Sequence, residues 1–236
     1  MEEIGYDEVT AAIDRLVDEL LDQAAIGQPP VNTLDLAARA LGLQVYMDPG
    51  QRSRGRASRQ RDRGVVFLRP ESRPERLHWA LAHEIGEHLK ARIWQRLGVP
   101  PAERPALAGE SLANLFARRL LVPTRWFRDD APWCHYDLSE LKERYRTASH
   151  EVIAWRMLDL PDPCIVTVVD NGHVTRRRSN AWPVTRQLLP VERACQHYVH
   201  EYSRPRRLQQ GGHTVWGWPV HEPDWKREIL RTVVEE

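Results

Sequence analysis

The sequence predicts an α+β fold on three observations. Up to about Leu160 the apolar residues recur with helical spacing. From Cys164 the chain turns to β-branched runs, and an Asn-Gly pair between two of them has the chemistry of a hairpin turn. With 236 residues, 42% of them hydrophobic and 28% charged, a buried core is attainable and global disorder is excluded.

Between Asp7 and Ile26, the residues Val9, Ile13, Leu16, Val17, Leu20 and Ala24 line one face of an amphipathic helix with an acidic outer face. Gly27 and Pro29-Pro30 stop it. Asn32 or Thr33 then caps a short helix to Leu41, Gly42 ends it, and Leu43 to Met47 reads as extended. The Arg-rich stretch Gln51 to Arg63 lacks apolar periodicity and reads as an exposed loop; Gly64 to Leu68 reads as a strand. Ser72 and Glu75 have capping-box spacing, and Pro74 suits a first turn. The helix that follows is lined by Leu77, Leu81, Ile85, Leu89 and Ile93 and ends before Gly98. Val99 to Gly109, with its prolines, reads as a loop. A helix from about Glu110 to Val122 turns Leu112, Leu115, Phe116, Ala117 and Leu120 inward, and Pro123 closes it.

Two short helices are expected within 137–158, joined by Thr147-Ala148-Ser149, with Ser149 as a cap of the second. Cys164 to Asp170, Asn171-Gly172 and His173 to Thr175 spell a hairpin with a type I′ turn. A helix near Val191–Val199, a strand around Thr214–Val220 and a last helix at Asp224–Val234 complete the reading. The expected division is an N-terminal helix (1–29), a core (30–130), a helical subdomain of helix-turn-helix proportions (131–162) and a small C-terminal α/β module (163–236).

Bulk charge names no partner, because 34 Lys and Arg face 33 Asp and Glu. The distribution is uneven: residues 1–50 hold ten acids and two bases, and 51–63 hold six Arg and one Asp. That basic stretch suits nucleic acid or a loop ordering over a cleft. Arg176-Arg177-Arg178 reads as the guard of a strand edge. In the helix pair, Arg146 and Arg156 are the candidates for DNA contact. Glu140, Glu143 and Glu151 sit among them, however, so the pair reads rather as packing around Leu138, Leu141, Tyr145, Val152, Ile153 and Trp155. Direct nucleic acid binding is therefore not expected. Trp182, Trp216, Trp218 and Trp225 are expected in the core of the C-terminal module. Three cysteines without a CxxC pair fit a reduced, cytoplasmic setting. The N-terminus reads as no signal peptide, and no apolar run approaches the roughly 20 residues that cross a bilayer, so no membrane is expected.

The chemistry concentrates at His83-Glu-Ile-Gly-Glu-His88. A zinc-binding helix of the H-E-x-x-H type places two ligands at i and i+4, with the intervening Glu as general base. At about 100° per residue, His83 and Glu87 lie within roughly 40° of each other, and His83 and His88 lie about 140° apart. From an intact helix the metal pair is therefore His83 and Glu87, with Glu84 at the offset of the base. The apolar context LHWALAHEIG puts the group on a mostly buried helix, and Glu110, opening the next helix, is a candidate distant ligand. The bland alternative is a surface mixture of Glu and His with no metal.

The segments PPVNTLDLAARALGLQV, the HE-bearing helix and ESLANLFARRLLVP together resemble the ImmA/IrrE family of zinc-type metallopeptidases. The resemblance covers about residues 30–160 and leaves the tail from 164 unaccounted for. It implies a zincin-like core and a cytosolic metallo-endopeptidase. Its substrate would be a regulatory protein, typically a helix-turn-helix repressor whose cleavage switches on a stress or mobile-element programme. The family's E-x-x-x-N-x-x-A-x-x-L-L-x-P segment places the third ligand at Glu110, four before Asn114. Where the family has a second His, this chain has Glu87, giving HExxE.

Three readings follow from that departure. In the first, His83, Glu87 and Glu110 hold Zn2+, or a harder ion such as Mn2+ or Fe2+ given two carboxylates, and Glu84 activates the bound water. In the second, a π-bulge at Gly86 brings His88 into the site. In the third, the site is metal-free and the protein is a pseudoprotease that regulates transcription by binding a repressor or DNA. A hydrolase of small amides is a further class. His78 and His88 are candidate oxyanion donors, while His135 and His150 read as a loop residue and a surface helix residue.

Overall fold

The structure, a computed structural model, describes residues 5–60, 63–103 and 108–235; the side chains of 57–60, 63 and 108–110 lie outside the described set. Among the described residues, eight α-helices and two sheets form a mixed α+β fold. The chain divides into two units, Met1–Asp130 with Glu143–Ser149, and Ala131–Lys142 with His150–Glu236.

In the first unit, α1 (Tyr6–Gln23) buries Ile13, Leu16, Val17, Leu20 and Leu21. Asn32 caps α2 (Thr33–Leu41), its Oδ1 accepting the backbone N–H groups of Leu34 at 3.0 Å and Asp35 at 3.4 Å. Strands β1 (Gln44–Met47), β2 (Gly55–Gln60) and β3 (Arg63–Leu68) form a sheet in the order β1-β3-β2, with β1 parallel and β2 antiparallel to β3. The stretch expected to be an exposed loop is thus largely a strand. An edge strand takes its ladder bonds from the backbone, so it can form without an apolar period to read.

Helix α3 (Pro74–Arg96) is α-helical from end to end, which removes the π-bulge reading. Leu81, Ile85, Leu89 and Ile93 are buried as expected, together with Ala80 and Ala82. Its N-cap is Arg73, with no side-chain cap bond, so the Ser72–Glu75 capping box does not form; Pro74 opens the first turn instead. A 3₁₀ turn (Pro101–Glu103) precedes α4 (Ala108–Leu121), which starts inside the segment expected to be a loop; residues 104–107 lie outside the description. The sequence reading assigned nothing to α5 (Thr124–Trp133), which buries Phe127 and Ala131, one turn apart. Buried Arg119 of α4 pairs with Asp14 of α1 at 2.5 Å, and Thr124 donates to the same carboxylate at 2.8 Å.

Helices α6 (Leu138–Arg144) and α7 (His150–Met157) bury Leu138, Leu141, Val152 and Ile153, and Tyr145 between them is buried too. Trp155 is only half-buried. Arg156, a candidate for DNA contact, is 2% exposed and paired with Asp159, so it cannot reach a phosphate.

The second unit holds a five-stranded antiparallel sheet in the order β5-β4-β8-β7-β6. Its strands are β4 (Ile165–Asp170), β5 (His173–Ser179), β6 (Arg206–Gln210), β7 (His213–Pro219) and β8 (Arg227–Val234). The β4–β5 hairpin turns at Asn171 (φ 47°) and Gly172 (φ 82°). β8 replaces the last helix expected from the sequence. Ile229, Leu230 and Val233 recur with helical spacing, but the segment is a central strand with Glu228 to Thr232 buried on both faces, where β-branched residues pack well.

Helix α8 (Pro190–Tyr202) packs Val191, Cys195 and Val199 against Val215 and Leu230. Arg177, from the edge strand β5, turns inward to Glu192 of α8 at 2.9 Å, while its neighbour Arg176 pairs with Glu151. Of the four C-terminal tryptophans expected in the core, Trp218 is buried, Trp216 is half-buried, and Trp182 and Trp225 are exposed. The three cysteines are buried and in no disulfide, and burial pushes the Cys195 thiol up to about 12. Among the described residues, no helix is long and apolar enough to cross a membrane.

Candidate active site

The site is built where α3 meets α4 and β2. Helical period sets His83 and Glu87 on one face of α3 and Glu84 and His88 on the next. Between them, Gly86 faces α4. A Cβ there would stand 3.0 Å from Ala113 Cα, 3.1 Å from Ala113 O and 3.1 Å from Phe116 Cδ1. The missing side chain lets the two helices approach closely. One helical turn back from Gly86, His83 Nδ1 lies 3.2 Å from Asn114 Oδ1 of α4. With that oxygen as acceptor, Nδ1 carries the ring proton and Nε2 keeps its lone pair.

Glu84 reaches the sheet. A Cβ on Gly55 would stand 2.6 Å from Glu84 Cγ and 2.7 Å from its Oε1, so the carboxylate occupies space that the glycine leaves open. Gly55 begins β2, an edge strand of the three-stranded sheet. Sequence reading missed this neighbour, although a glycine inside a strand is a signal of close approach. Glu87 is 27% exposed and accepts from Lys90 Nζ at 2.6 Å, one turn further along the helix. Glu110 sits in the first turn of α4, four residues before Asn114; its side chain is outside the described set. The structure thus brings His83 and Glu84 onto the adjoining elements and leaves Glu87 on a lysine. Among the described residues, no group of three His, Cys, Asp or Glu could hold a metal ion.

The other histidines have separate settings. His78 Nδ1 lies 2.8 Å from Thr33 Oγ1, linking α3 to the start of α2, and His88 is exposed. His135 stands at φ 48° in the turn after α5, and His150 is the first residue of α7.

The model of the IrrE N-terminal-like domain, Peptidase M78, matches residues 38–157, and the chain belongs to this family. Membership in this family suggests a metallopeptidase-like or regulatory role. Among solved structures the chain is similar to a Mycobacterium tuberculosis transcriptional regulator, with 15% identity and a TM-score of 0.65. That match covers 98% of this chain and 81% of that one, and it speaks for the fold. No curated protein sequence matches significantly.

Proposed function

We propose that the chain is a metal-dependent endopeptidase that hydrolyses a peptide bond in a cytoplasmic regulatory protein, with a helix-turn-helix repressor as the substrate class. The observation that supports this most is the contact between His83 Nδ1 and Asn114 Oδ1. A hydrogen bond at one ring nitrogen orients a metal-ligating imidazole and fixes its tautomer. The donor types fit a divalent ion. Beside that imidazole, Glu87 shares the helical face of His83, and Glu110 stands one turn before Asn114. Two carboxylates and one imidazole suit Zn2+, and equally the harder Mn2+ or Fe2+. Such an ion supplies polarisation of the scissile carbonyl and acidification of water.

The chain's own groups do the rest. Glu84 takes a proton from the attacking water and returns it to the leaving amine nitrogen. β2, whose outer edge has no partner strand among the described residues, offers backbone groups along which an extended peptide aligns beside Glu84. The fold it shares with a transcriptional regulator fits a role in switching a stress or transcription programme.

The Lys90–Glu87 pair favours a second reading, a catalytically inactive pseudoprotease that regulates transcription by binding a repressor or DNA. Elemental mass spectrometry of untagged protein separates the two. About one equivalent of metal, lost in Glu87→Ala and kept in His88→Ala, supports the enzyme. No metal, even after zinc or manganese is added, leaves the regulator. In the enzyme, Glu84→Gln keeps the metal and loses cleavage.

A further inference from the structure

The second unit carries a constellation that the peptidase chemistry does not use. Ser203 follows α8 at φ 52° and ψ 36°, a left-handed conformation that costs a residue with a Cβ about 1 kcal/mol or more. The residue is exposed, and its Oγ lies 3.0 Å from His221 Nδ1. His221, in the segment after β7, has its Nε2 2.9 Å from Glu228 Oε1. Glu228, near the start of β8, is 0% exposed. Its carboxylate is further fixed by His200 Nδ1 at 2.9 Å on Oε1 and by Gln196 Nε2 at 3.1 Å on Oε2. Lys226 donates to the His200 carbonyl at 2.9 Å, which ties the two segments together.

This network sets the tautomer of His221. A carboxylate only accepts, so Nε2 carries the proton and Nδ1 presents its lone pair to the Ser203 hydroxyl. Nucleophile to base and base to orienting acid are both in hydrogen-bond contact, the two links an activated serine requires. The two ring nitrogens exchange the roles they have in the Ser-His-Asp template: Nδ1 faces the nucleophile and Nε2 the carboxylate. Cys164 and Cys195, the unit's nearest alternatives as nucleophiles, are buried with their thiols pushed up.

We propose that Ser203, His221 and Glu228 form a serine nucleophile site that hydrolyses small carboxylic esters without a metal. Ser203 Oγ attacks the carbonyl carbon while His221 Nδ1 takes its proton. The bond to the alkoxide oxygen breaks, and the alcohol leaves with that proton. Water, giving a proton to the same nitrogen, then attacks the acylated serine; the acid is released and the hydroxyl restored. Glu228 is a positioning residue, acting through the ring it holds.

The test treats the full-length protein with a fluorophosphonate probe, followed by intact mass and peptide mapping, and in parallel follows hydrolysis of p-nitrophenyl acetate. The expected result is one adduct at Ser203, absent in Ser203→Ala, with a rate unchanged by a chelator or by Ser139→Ala at an exposed serine elsewhere. His221→Gln slows labelling by about 100-fold. Glu228→Gln slows it by about tenfold and removes the downfield ring N–H resonance of His221 from the proton spectrum. No adduct at Ser203, an adduct no faster than on the urea-unfolded chain, or an unchanged rate in His221→Gln would overturn the proposal. Because His221 is near the surface, its variant keeps the test decisive if Glu228→Gln fails to fold.

Discussion

Two sets of glutamates show how differently the two units use one side chain. Glu84 and Glu87 on α3 keep access to solvent, one lying over a glycine of an edge strand and the other on a flexible lysine. Glu192 and Glu228 are fully buried, and each carboxylate is surrounded by donors: Arg177, Thr232 and the Leu189 N–H for Glu192, and His200, His221 and Gln196 for Glu228. A buried charge is tolerated only when it is paired and hydrogen-bonded, so the second set is built into the fold. A carboxylate left partly wet on a helix surface contributes little to stability and is available for chemistry. The first set is therefore expected to tolerate substitution thermodynamically, and the second is not.

The largest effect should come from Glu192→Ala. It leaves the Arg177 guanidinium buried beside Thr167 without its carboxylate, which costs about 3–5 kcal/mol by chemical denaturation. A loss below about 1 kcal/mol would mean that the two glutamate sets do not differ in kind. Next is Gly86→Ala. The new methyl meets backbone of α4 at 3.0 Å, and backbone cannot swing aside as a side chain can, so about 1–3 kcal/mol is lost. The α3–α4 seam would move with it, so the same variant should weaken any metal held by His83.

The helical half of the fold was legible because its signals are local. Asn32 before Thr33, Gly42 after Leu41, and the Leu81, Ile85, Leu89, Ile93 line each act within one or two turns. β2 and β8 were misread because a strand's partner lies elsewhere in the chain. β2 pairs with β3 through backbone, and β8 shows apolar residues at Ile229, Leu230 and Val233 that fit a helix as well as a doubly buried strand. The same limit governs the site. Helical period alone put His83 and Glu87 on one face and excluded His88. The contacts of His83 with Asn114 and of Glu84 with Gly55 come from packing between elements, and no spacing rule reports those. Ser203 and His221 meet only because the β6–β7 hairpin folds the chain back between them.

Acid should act on the second unit at a smaller scale, through Asp170. Burial alone would raise the Asp170 carboxyl, but hydrogen bonds from Arg227 and Thr175 and the Arg227 charge outweigh it and hold the group below the ordinary carboxylate range. A carboxyl lowered in the folded state contributes stability that is complete above its unfolded value, near 4, and is lost as pH falls through the folded value. The thermal midpoint of the wild-type chain should therefore fall between about pH 5 and pH 2 more steeply than that of Asp170→Asn. Parallel slopes would show that Arg227 contributes nothing through this pair.

Gly55→Ala should have the smallest effect on stability, and it bears most directly on the catalytic reading. The three atoms nearest the added Cβ, at 2.6–3.0 Å, all belong to the Glu84 side chain, and that side chain can rotate away. Replacing glycine in a strand also lowers the entropy of the unfolded chain, worth about 0.4–1 kcal/mol in favour of folding where the conformation is compatible. These two contributions oppose each other, so the unfolding midpoint should hardly move. Peptide hydrolysis is expected to fall sharply, because the displaced carboxylate is the proposed base and a base that is misplaced by about 1 Å costs about 100-fold. If activity survives intact alongside stability, Glu84 does not work from its seat on β2. If activity falls while the midpoint holds, then the open space at Gly55 serves the chemistry of this site and not its folding.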